Sequence, residues 1–481
     1  MRTAEEVVNE IHSALGDGDK QGLRNTAALL ETLQAWPACP VIHVAGTNGK
    51  GSVCAMLNSV LTAAGYRTGM YTSPFLQTYN ERIRLNGKPI TAEQLAQYGN
   101  ETLDAAEKLK RKLDYHCTPF ELGTALAFHT FQAEKAELII SETGMGGRLD
   151  PTNAIPNPTV CAITAIGMDH MQYLGNTLTE IAGEKAGISK YGVPVVCYPP
   201  EEKEVREVLN ARAEKEEAPL IIPEKEQTRI REANARYTIA DYKTGNRVWT
   251  NLRISLPGEH QTVNALVVLC VLEELEKQGI RVPEEAVISG LGNAFWPGRL
   301  EWCGNVVMDG AHNAQGIAAF NRYVQEHLSG KRKVLLTGVL KEKLSEEMLG
   351  GLASVTDTAV TVTPDSPRAM KAEELAELLR GKGMKARAAN SLKEGLETAG
   401  KLAGEDGLIL ATGSLYFIGA MRNEMGLETA SSFRNSAGYL QNWLTALRND
   451  SKMIVSAAGK AEKAVRLIMN MEEQKEVPVA A

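Results

Sequence analysis

The sequence predicts an α/β protein in which a mainly parallel central sheet is followed by a second, smaller α/β unit. Three observations carry that expectation. VIHVAGTNGKGSVCAML, residues 41–57, runs from β-branched apolar residues through a glycine turn into an apolar-periodic stretch, which is strand, tight loop and helix in succession. Further apolar runs, AELIISETGMGG and TVCAITAIGMDH, each end in a polar or glycine-rich loop and alternate with helical patterns, as parallel strands joined by crossovers do. The alternation breaks at GNAFWPGRLEW, where Gly292, Pro297 and Gly298 punctuate the chain, and then restarts in shorter units.

Taken in order, MRTAEEVVNEIHSALGD interleaves charge with apolar residues at helical spacing and lacks the uninterrupted apolar stretch of a signal peptide; no membrane-spanning run is expected anywhere. YRTGMYTSPF, residues 66–75, reads as a strand ending at Thr72, Ser73 and Pro74, with a polar stretch after it through Gly87. TPFELGTALAFHTFQAEKA opens a helix with Thr118 as N-cap, Pro119 at the first helical position and Glu121 completing a capping box. AELIISETGMGG and TVCAITAIGMDH are buried strands, the second read as ending at Asp169 and His170. Their C-terminal ends then share one sheet edge with the glycine turn, which is where open α/β sheets bind ligands.

From about residue 201 to 257 the texture changes to a charged helix, EEKEVREVLNARAEKEE, and short alternating segments within RYTIADYKTGNRVWTNLRISLP. These are expected to form antiparallel strands at the edge of the first domain. HQTVNALVVLCVLEELEKQG is a helix. Past the break the pattern reads NVVMDGAHN, helix, KVLLTGVL, helix, DTAVTVTP, helix, GLILATGSLYF. That is a Rossmann-like order without the G-x-G-x-x-G of a dinucleotide site. In the tail, Trp443, Leu444 and Leu447, then Val465, Leu467, Ile468 and Met471, predict two amphipathic helices docked on the body. The expected domains are 1–297, 298–422 and a helical extension, 423–481.

At 481 residues the chain exceeds what one core supports, and 43% hydrophobic with 23% charged residues is ordinary for a globular protein. A net charge of −7 excludes the basic footprint of a general nucleic-acid binder but leaves room for a local anion pocket. The seven cysteines, odd in number and scattered through apolar runs without C-x-x-C spacing, fit a reduced, cytoplasmic protein.

The turn Gly46, Thr47, Asn48, Gly49, Lys50, Gly51, Ser52 brings backbone N–H groups, one ammonium and a helix N-terminus to a single point, the chemistry of a nucleoside-triphosphate site. It departs from G-x-x-x-x-G-K-[ST] because Gly51 stands between Lys50 and Ser52. Ser73, Glu142 and His170, each read as ending a strand on that edge, offer a hydroxyl, a carboxylate and an imidazole. Glu142, directly after AELIIS, sits where an acid that serves the Mg²⁺ of ATP would. Ser73 reads equally as a turn residue, and His170 as a helix cap or core histidine. Lys185, in TLTEIAGEKAGISKYGVPVV, is either a snorkelling surface lysine or a desolvated amine reactive toward CO₂.

HVAGTNGKGS, YTSPF with ERIRLNG, TPFELGTALAF, ETGMGGRLDPTN, ITAIGMDHMQYLG, GEKAGI, LPGEHQTVNA, WPGRLEW, MDGAHN and TGSLYF, in this order, resemble the folylpolyglutamate synthases of the Mur-ligase superfamily, with or without dihydrofolate synthase activity. The resemblance spans about residues 1–422. It implies an N-terminal P-loop ATPase domain, a C-terminal glutamate-ligase domain and an ADP-forming ligase that uses ATP and Mg²⁺. The substrates implied are a folate or dihydropteroate carboxylate, activated as an acyl phosphate, and L-glutamate. Thr47, Asn48, Gly49, Lys50, Gly51 and Ser52 match the triphosphate loop; Ser73, Glu142 and His170 match magnesium ligands; Lys185 matches a lysine carried as a carbamate. Asn264, Arg299 and Asp309 match nucleotide contacts, and His312 and Ser414 positions associated with the incoming glutamate. The pterin side matches Gly22, Leu23, Arg24, Asn25, then Thr118, Pro119, Phe120, Glu121, then Leu149, Asp150, Pro151. Lys50, Glu142, His170, Lys185 and His312 form the implied catalytic set.

Phe75 replaces the histidine of the family's SPHL, Ala314 follows DGAHN in place of proline, and Lys341-Glu342-Lys343 replaces an acidic DKD-like motif, which puts a nucleotide-base contact there in doubt. The rival readings are a sister ligase acting on a UDP-muramyl peptide, whose pattern lacks TPFE and GGRLDPTN, and a catalytically silent nucleotide-binding protein. A monomer is expected, with the extension as the element through which the chain would oligomerise; neither nucleic acid nor membrane is expected as a partner.

Overall fold

The computed structural model describes residues 1–15, 23–113, 116–245 and 247–428. Gly22 and the apolar positions of the tail lie outside these residues. The first sheet has eight strands: β1 (Val41–Ala45), β2 (Thr68–Tyr71), β3 (Ile83–Leu85), β4 (Lys88–Pro89), β5 (Leu138–Glu142), β6 (Val160–Ile163), β7 (Val195–Cys197) and β8 (Leu220–Ile221), in the order β4-β3-β2-β5-β1-β6-β7-β8. From β2 to β8 the pairing is parallel; β3 and β4 add an antiparallel edge. β1 is central, with Val44 opposite Glu142 of β5 and Ala45 opposite Ile163 of β6.

Both faces are covered, so the strands read as continuous apolar runs. Helices α1 (Ala4–Ser13), α2 (Arg24–Leu33), α4 (Ala92–Leu113) and α5 (Pro119–Ala133) bury Leu29, Leu126 and Phe131 with Val41 and Ile139 on one side. On the other, α3 (Lys50–Ala63), α9 (Glu259–Lys277) and α10 (Glu284–Asn293) bury Met56, Leu266 and Leu291 with Ile42, Val44 and Ile140. The short α6 (Met171–Leu174), α7 (Leu178–Ala186) and α8 (Lys203–Lys215) complete this half, with Ala182 and Leu209 packed on Cys161 and Val195.

A three-stranded antiparallel sheet, β9 (Thr228–Ala233), β10 (Thr238–Thr244) and β11 (Arg247–Ile254), matches the alternating segments expected there. It lies on a face rather than at an edge: Tyr242, Trp249 and Leu252 enter the same core as α9. The second large sheet comprises β12 (Glu301–Cys303), β13 (Val306–Met308), β14 (Lys333–Thr337), β15 (Thr358–Thr361), β16 (Lys385–Ala388) and β17 (Leu408–Thr412), ordered β12-β13-β17-β14-β15-β16. Around it run α11 (Ala314–His327), α12 (Glu346–Val355), α13 (Ala372–Gly381), α14 (Leu392–Ala403) and α15 (Leu415–Glu424). The first three bury Phe320, Leu352 and Leu375 against Leu335 and Leu410.

Some expectations need correction. The polar stretch through Gly87 holds β3 and the turn into β4, made by Asn86 and Gly87 at φ 50° and 77°, the positive pair that an Asn-Gly two-residue turn demands. β16, with the sequence KARA, was not expected, because lysine, arginine and alanine carry little strand propensity. β6 stops at Ile163, so His170 does not end a strand; it is the N-cap of α6.

One polar side chain of β1 is fully enclosed. His43 is 0% exposed, and burial pushes its pKa down to about 3. An exposed imidazole titrates near 6.5, so between those values the unfolded chain binds a proton that the folded chain does not. Stability from this group is therefore complete above about pH 6.5 and falls as pH drops toward 3, at most by about 1.4 kcal/mol per unit. Urea unfolding at pH 7 and pH 4.5 measures it: His43→Gln is expected to lose less stability between the two than the parent chain, and equal losses would refute the assignment.

Candidate active site

The carboxyl ends of β1, β5 and β6 open into a cleft of about 920 Å³, walled on its far side by residues of the second sheet. The turn after β1 supplies its floor. Gly49, at φ 94°, brings the chain into α3 through the left-handed region, where a side chain would strain the backbone. The amides of Thr47 and Asn48 both donate to the Ala165 carbonyl, at 2.9 and 3.1 Å, and the Thr47 hydroxyl bridges the backbone of Gly167. These two residues therefore pin the loop. Among the described residues the amides of Gly49, Lys50, Gly51 and Ser52, at the first turn of α3, have no protein acceptor, and this is the surface that an anion meets. Gly51 explains the irregular spacing: a Cβ there would stand 2.5 Å from the Trp296 indole nitrogen, which lies in the chain segment leading to the second sheet.

Lys50 Nζ folds back on the Gly46 and Thr47 carbonyls, at 3.1 and 3.3 Å, and lies 3.9 Å from Glu142 Oε1. Glu142 is 4% exposed, and burial pushes its carboxyl up to about 7 although Lys50 and the Ser73 amide, 3.3 Å from Oε2, favour the charged form. With so few donors the carboxylate keeps acceptor capacity for a cation. Glu142 and the Ser73 hydroxyl are hard oxygen donors and His170 a nitrogen donor on the same cleft, which fits a magnesium ion. Among the described residues no cluster of three His, Cys, Asp or Glu is present, so phosphate and water would complete the shell, as is usual for Mg²⁺. Lys185 is 3% exposed, and its Nζ bonds the Gly46 carbonyl at 2.9 Å. Burial and the neighbouring Lys50 push its pKa down to about 7.

Polar side chains bridge the two sheets. Asn48 Nδ2 donates to Gln315 Oε1 at 2.6 Å, and Asn313 Nδ2 reaches Asn48 Oδ1 at 3.1 Å and Asp169 Oδ2 at 3.3 Å. Lys343 pairs with Asp169 Oδ1 and stands 3.4 Å from His170 Nε2. Burial would raise the Asp169 carboxyl, but the Lys343 ammonium more than offsets it and holds it below the ordinary range. Of the Lys341-Glu342-Lys343 segment only Lys343 thus serves the contact between sheets; Glu342 pairs with Arg368 and Lys341 with Glu374, both within the second α/β unit. Asp309 is occupied by the Leu300 and Ala311 amides, both at 2.9 Å, and Arg299 bonds the Gly298 carbonyl at 3.1 Å. His312 bonds the Gly310 carbonyl through Nδ1 at 2.8 Å, leaving Nε2 toward Asp169 and the cleft; burial pushes it down to about 4. Ser414, 1% exposed, lines the same wall.

At the other end Thr118, Phe120 and Glu121 face the cleft, whereas Pro119 only starts α5. The capping box is present, with Thr118 N donating to Glu121 Oε2 at 2.7 Å, so Glu121 both caps its helix and lines the cleft. Leu149, Asp150 and Pro151 also line it, but Asp150 is not free: Oδ2 accepts the Gly144 and Met145 amides at 2.8 and 2.9 Å, and Oδ1 accepts from Thr152. Leu23 caps and Arg24 and Asn25 begin α2, which packs on α4, α5 and the turn Pro151–Ala154; none of the three side chains lines the cleft. Asn25 is 1% exposed, and among the described residues its side-chain amide has no partner. Sequence reasoning passed over Gln261, which donates to Ser52 Oγ at 3.1 Å and accepts from Asn264 at 3.0 Å; its place in LPGEHQTVNA, one turn before Asn264, was the available signal.

The model of the Mur ligase middle domain matches residues 44–272, and that of the Mur ligase glutamate ligase domain matches residues 298–415. The chain is 36% identical over 430 residues to the dihydrofolate synthase/folylpolyglutamate synthase of Bacillus subtilis (strain 168), covering 86% of this chain and 97% of that protein. Mycobacterium tuberculosis folylpolyglutamate synthase complexed with ADP superposes with a TM-score of 0.80 at 30% identity, covering 88% of this chain and 98% of that one. E. coli FolC in complex with DHPP and ADP superposes with a TM-score of 0.78 at 26% identity, with the same coverage. The chain belongs to the Mur ligase family, in its branch of folylpolyglutamate and dihydrofolate synthases.

Proposed function

We propose that this protein is an ATP-dependent, ADP-forming ligase that adds L-glutamate to the γ-carboxyl of a tetrahydrofolate (poly)glutamate, with dihydropteroate as a second acceptor that yields dihydrofolate. The observation that carries this reading is the single cleft in which the free amides at the start of α3, the Lys50–Glu142 pair and the cross-sheet residues meet. The acceptor carboxylate attacks the γ-phosphate of ATP, ADP leaves, and the acyl phosphate formed is open to the amine of glutamate. That amine forms the amide bond, phosphate departs, and a proton is lost to solvent.

The protein's share is positioning and charge. Amides of residues 49–52 and the Lys50 ammonium hold the phosphates in line and offset the charge that builds up during transfer. When bound, Mg²⁺ held by Ser73, Glu142 and His170 supplies Lewis-acid polarisation of the phosphate oxygens. Asn264 and Arg299 flank the nucleotide, while His312 and Ser414 face the glutamate from the second sheet. Lys185 is read as a carbamate: its neutral amine adds CO₂ and releases a proton, converting a buried amine that bonds the Gly46 carbonyl into an anion next to the magnesium ligands. Among the described residues no helix is long and apolar enough to cross a membrane and every cysteine is free, which supports a cytoplasmic setting.

ADP release, measured with L-glutamate and either dihydropteroate or tetrahydrofolate and with products resolved by mass, is expected to show one glutamate added per ADP. Release only with a UDP-muramyl peptide, or with none of the three, overturns the reading. Lys50→Ala and Glu142→Ala are each expected to lower kcat by at least about 10²-fold with far-UV circular dichroism unchanged; full activity in either removes that residue from the site. Incubation with ¹³C-bicarbonate is expected to give a carbamate carbon resonance that Lys185→Arg lacks, and an identical spectrum from both proteins argues against the carbamate.

A further inference from the structure

Beneath the cleft, the enclosed imidazole of β1 touches the loop that follows β5. His43 Nε2 lies 2.8 Å from Thr152 Oγ1, and Thr152 Oγ1 lies 2.5 Å from Asp150 Oδ1. Both oxygens of Asp150 accept backbone amides, Oδ1 from Thr152 at 3.1 Å and Oδ2 from Gly144 and Met145 at 2.8 and 2.9 Å, the pattern of an ionised carboxylate. The single Thr152 hydroxyl proton therefore goes to Asp150, and its oxygen can only accept from His43. That fixes His43 as the Nε2–H tautomer, with Nδ1 bare; among the described residues Nδ1 indeed has no partner. The order of donation is thus His43 to Thr152 to Asp150, ending on the Gly144 and Met145 amides.

Those amides belong to the cleft wall directly after Glu142, and Gly144 lies flat on an aromatic ring, since a Cβ there would stand 2.4 Å from Phe120 Cζ. We propose that His43 and Thr152 are positioning residues which, through Asp150, hold the Gly144–Met145 backbone against Phe120 and so set the affinity for the pterin-bearing acceptor without touching it. The proposal rests on the ligase reading above for its substrate, though not for its geometry. It also gives a reason for a histidine in the middle of an otherwise apolar β1: valine or isoleucine there would fill the volume but orient nothing.

Thr152→Val keeps the shape of the side chain and removes both bonds of its hydroxyl; Thr152→Ser restores them. In the ADP-release assay the valine variant is expected to raise KM for dihydropteroate or tetrahydrofolate at least ten-fold, with KM for ATP within two-fold of the parent and recovery in the serine variant. His43→Leu is expected to act in the same direction, and the double variant no more strongly than Thr152→Val alone, because one chain of bonds is cut in each. Unchanged acceptor KM in Thr152→Val, or an equal rise in KM for ATP, overturns the proposal.

Hydrogen exchange of the Gly144 and Met145 amides needs no turnover. It is expected to be at least ten-fold faster in Thr152→Val than in the parent, with exchange in α3 unchanged. If the parent chain releases no ADP with either pterin, the ligase reading fails while this measurement still decides the relay: equal exchange refutes it and faster exchange supports it. Where Thr152→Val does not accumulate as folded protein, His43→Gln, whose amide donates from nearly the same place as Nε2, is expected to keep parental exchange and parental KM values; a loss of either counts against the relay.

Discussion

Every functional side chain on the first sheet is referenced to the carboxyl end of β1, held between β5 and β6 by parallel ladders on both sides. The register places Val44 beside Glu142 and Ala45 beside Ile163, so the turns after β1, β5 and β6 emerge at one level. Two amides of the first turn then bond the Ala165 carbonyl of the third, and the Thr47 hydroxyl closes on Gly167. Those bonds fix the loop and leave the start of α3 exposed to an anion. A glycine loop without such stitching would close on its own carbonyls or sample many shapes, and ordering it would cost about 1–2 kcal/mol per residue on each binding event.

Charge on this edge is arranged against burial. Glu142 and Lys185 are each enclosed enough for burial to push them toward neutrality, while Lys50 lies within 4 Å of the former and bonds the same Gly46 carbonyl as the latter. Buried charges without full compensation are costly, and proteins retain them where a ligand completes the set. In the proposed reaction a triphosphate with its cation would add charge of both signs to this site, and Lys50 would exchange its two backbone carbonyls for phosphate oxygens. The acidic balance of the whole chain is no obstacle, because the field that matters is that of the cleft.

Much of the edge is legible in the sequence where local chemistry is self-contained. The glycine turn, the capping box of Thr118 and Glu121 and the acid after AELIIS are each fixed by neighbours a few residues away, and each stands where it was placed. Other tasks are set by partners that hydrophobic periodicity does not report, some of them nearby and some far along the chain. Asp150, expected on the pterin side, does line the cleft, but its carboxylate also accepts amides of its own loop. His170 was read as a strand end, although six residues separate β6 from it, and its position is set by Lys343 and Asp169. The β3–β4 hairpin was overlooked with its Asn-Gly turn in plain view, a failure to weigh turn chemistry against polarity. Gly51 is the clearest case: nothing within the loop requires it, and only the indole of Trp296, far along the chain, does.

The contact between the two large sheets differs in kind from the cores on either side of it. Leu335, Leu410 and Phe320 are sealed within one, Ile42, Val44 and Leu266 within the other, and neither core is continuous through the cleft. What crosses is largely polar: Asn48 with Asn313 and Gln315, and Asp169 with Asn313 and Lys343. The neutral bonds among them are worth about 0.5–1.5 kcal/mol net apiece and those to Asp169 about 1.5–3, and they exchange readily for bonds to phosphate or water. Apolar contacts of the same extent would have to be broken outright. A ligase that must admit a folate, ATP and glutamate and then exclude water from an acyl phosphate needs a seam of this type, rigid on each side and held across the middle by groups whose alternative partners are the substrates.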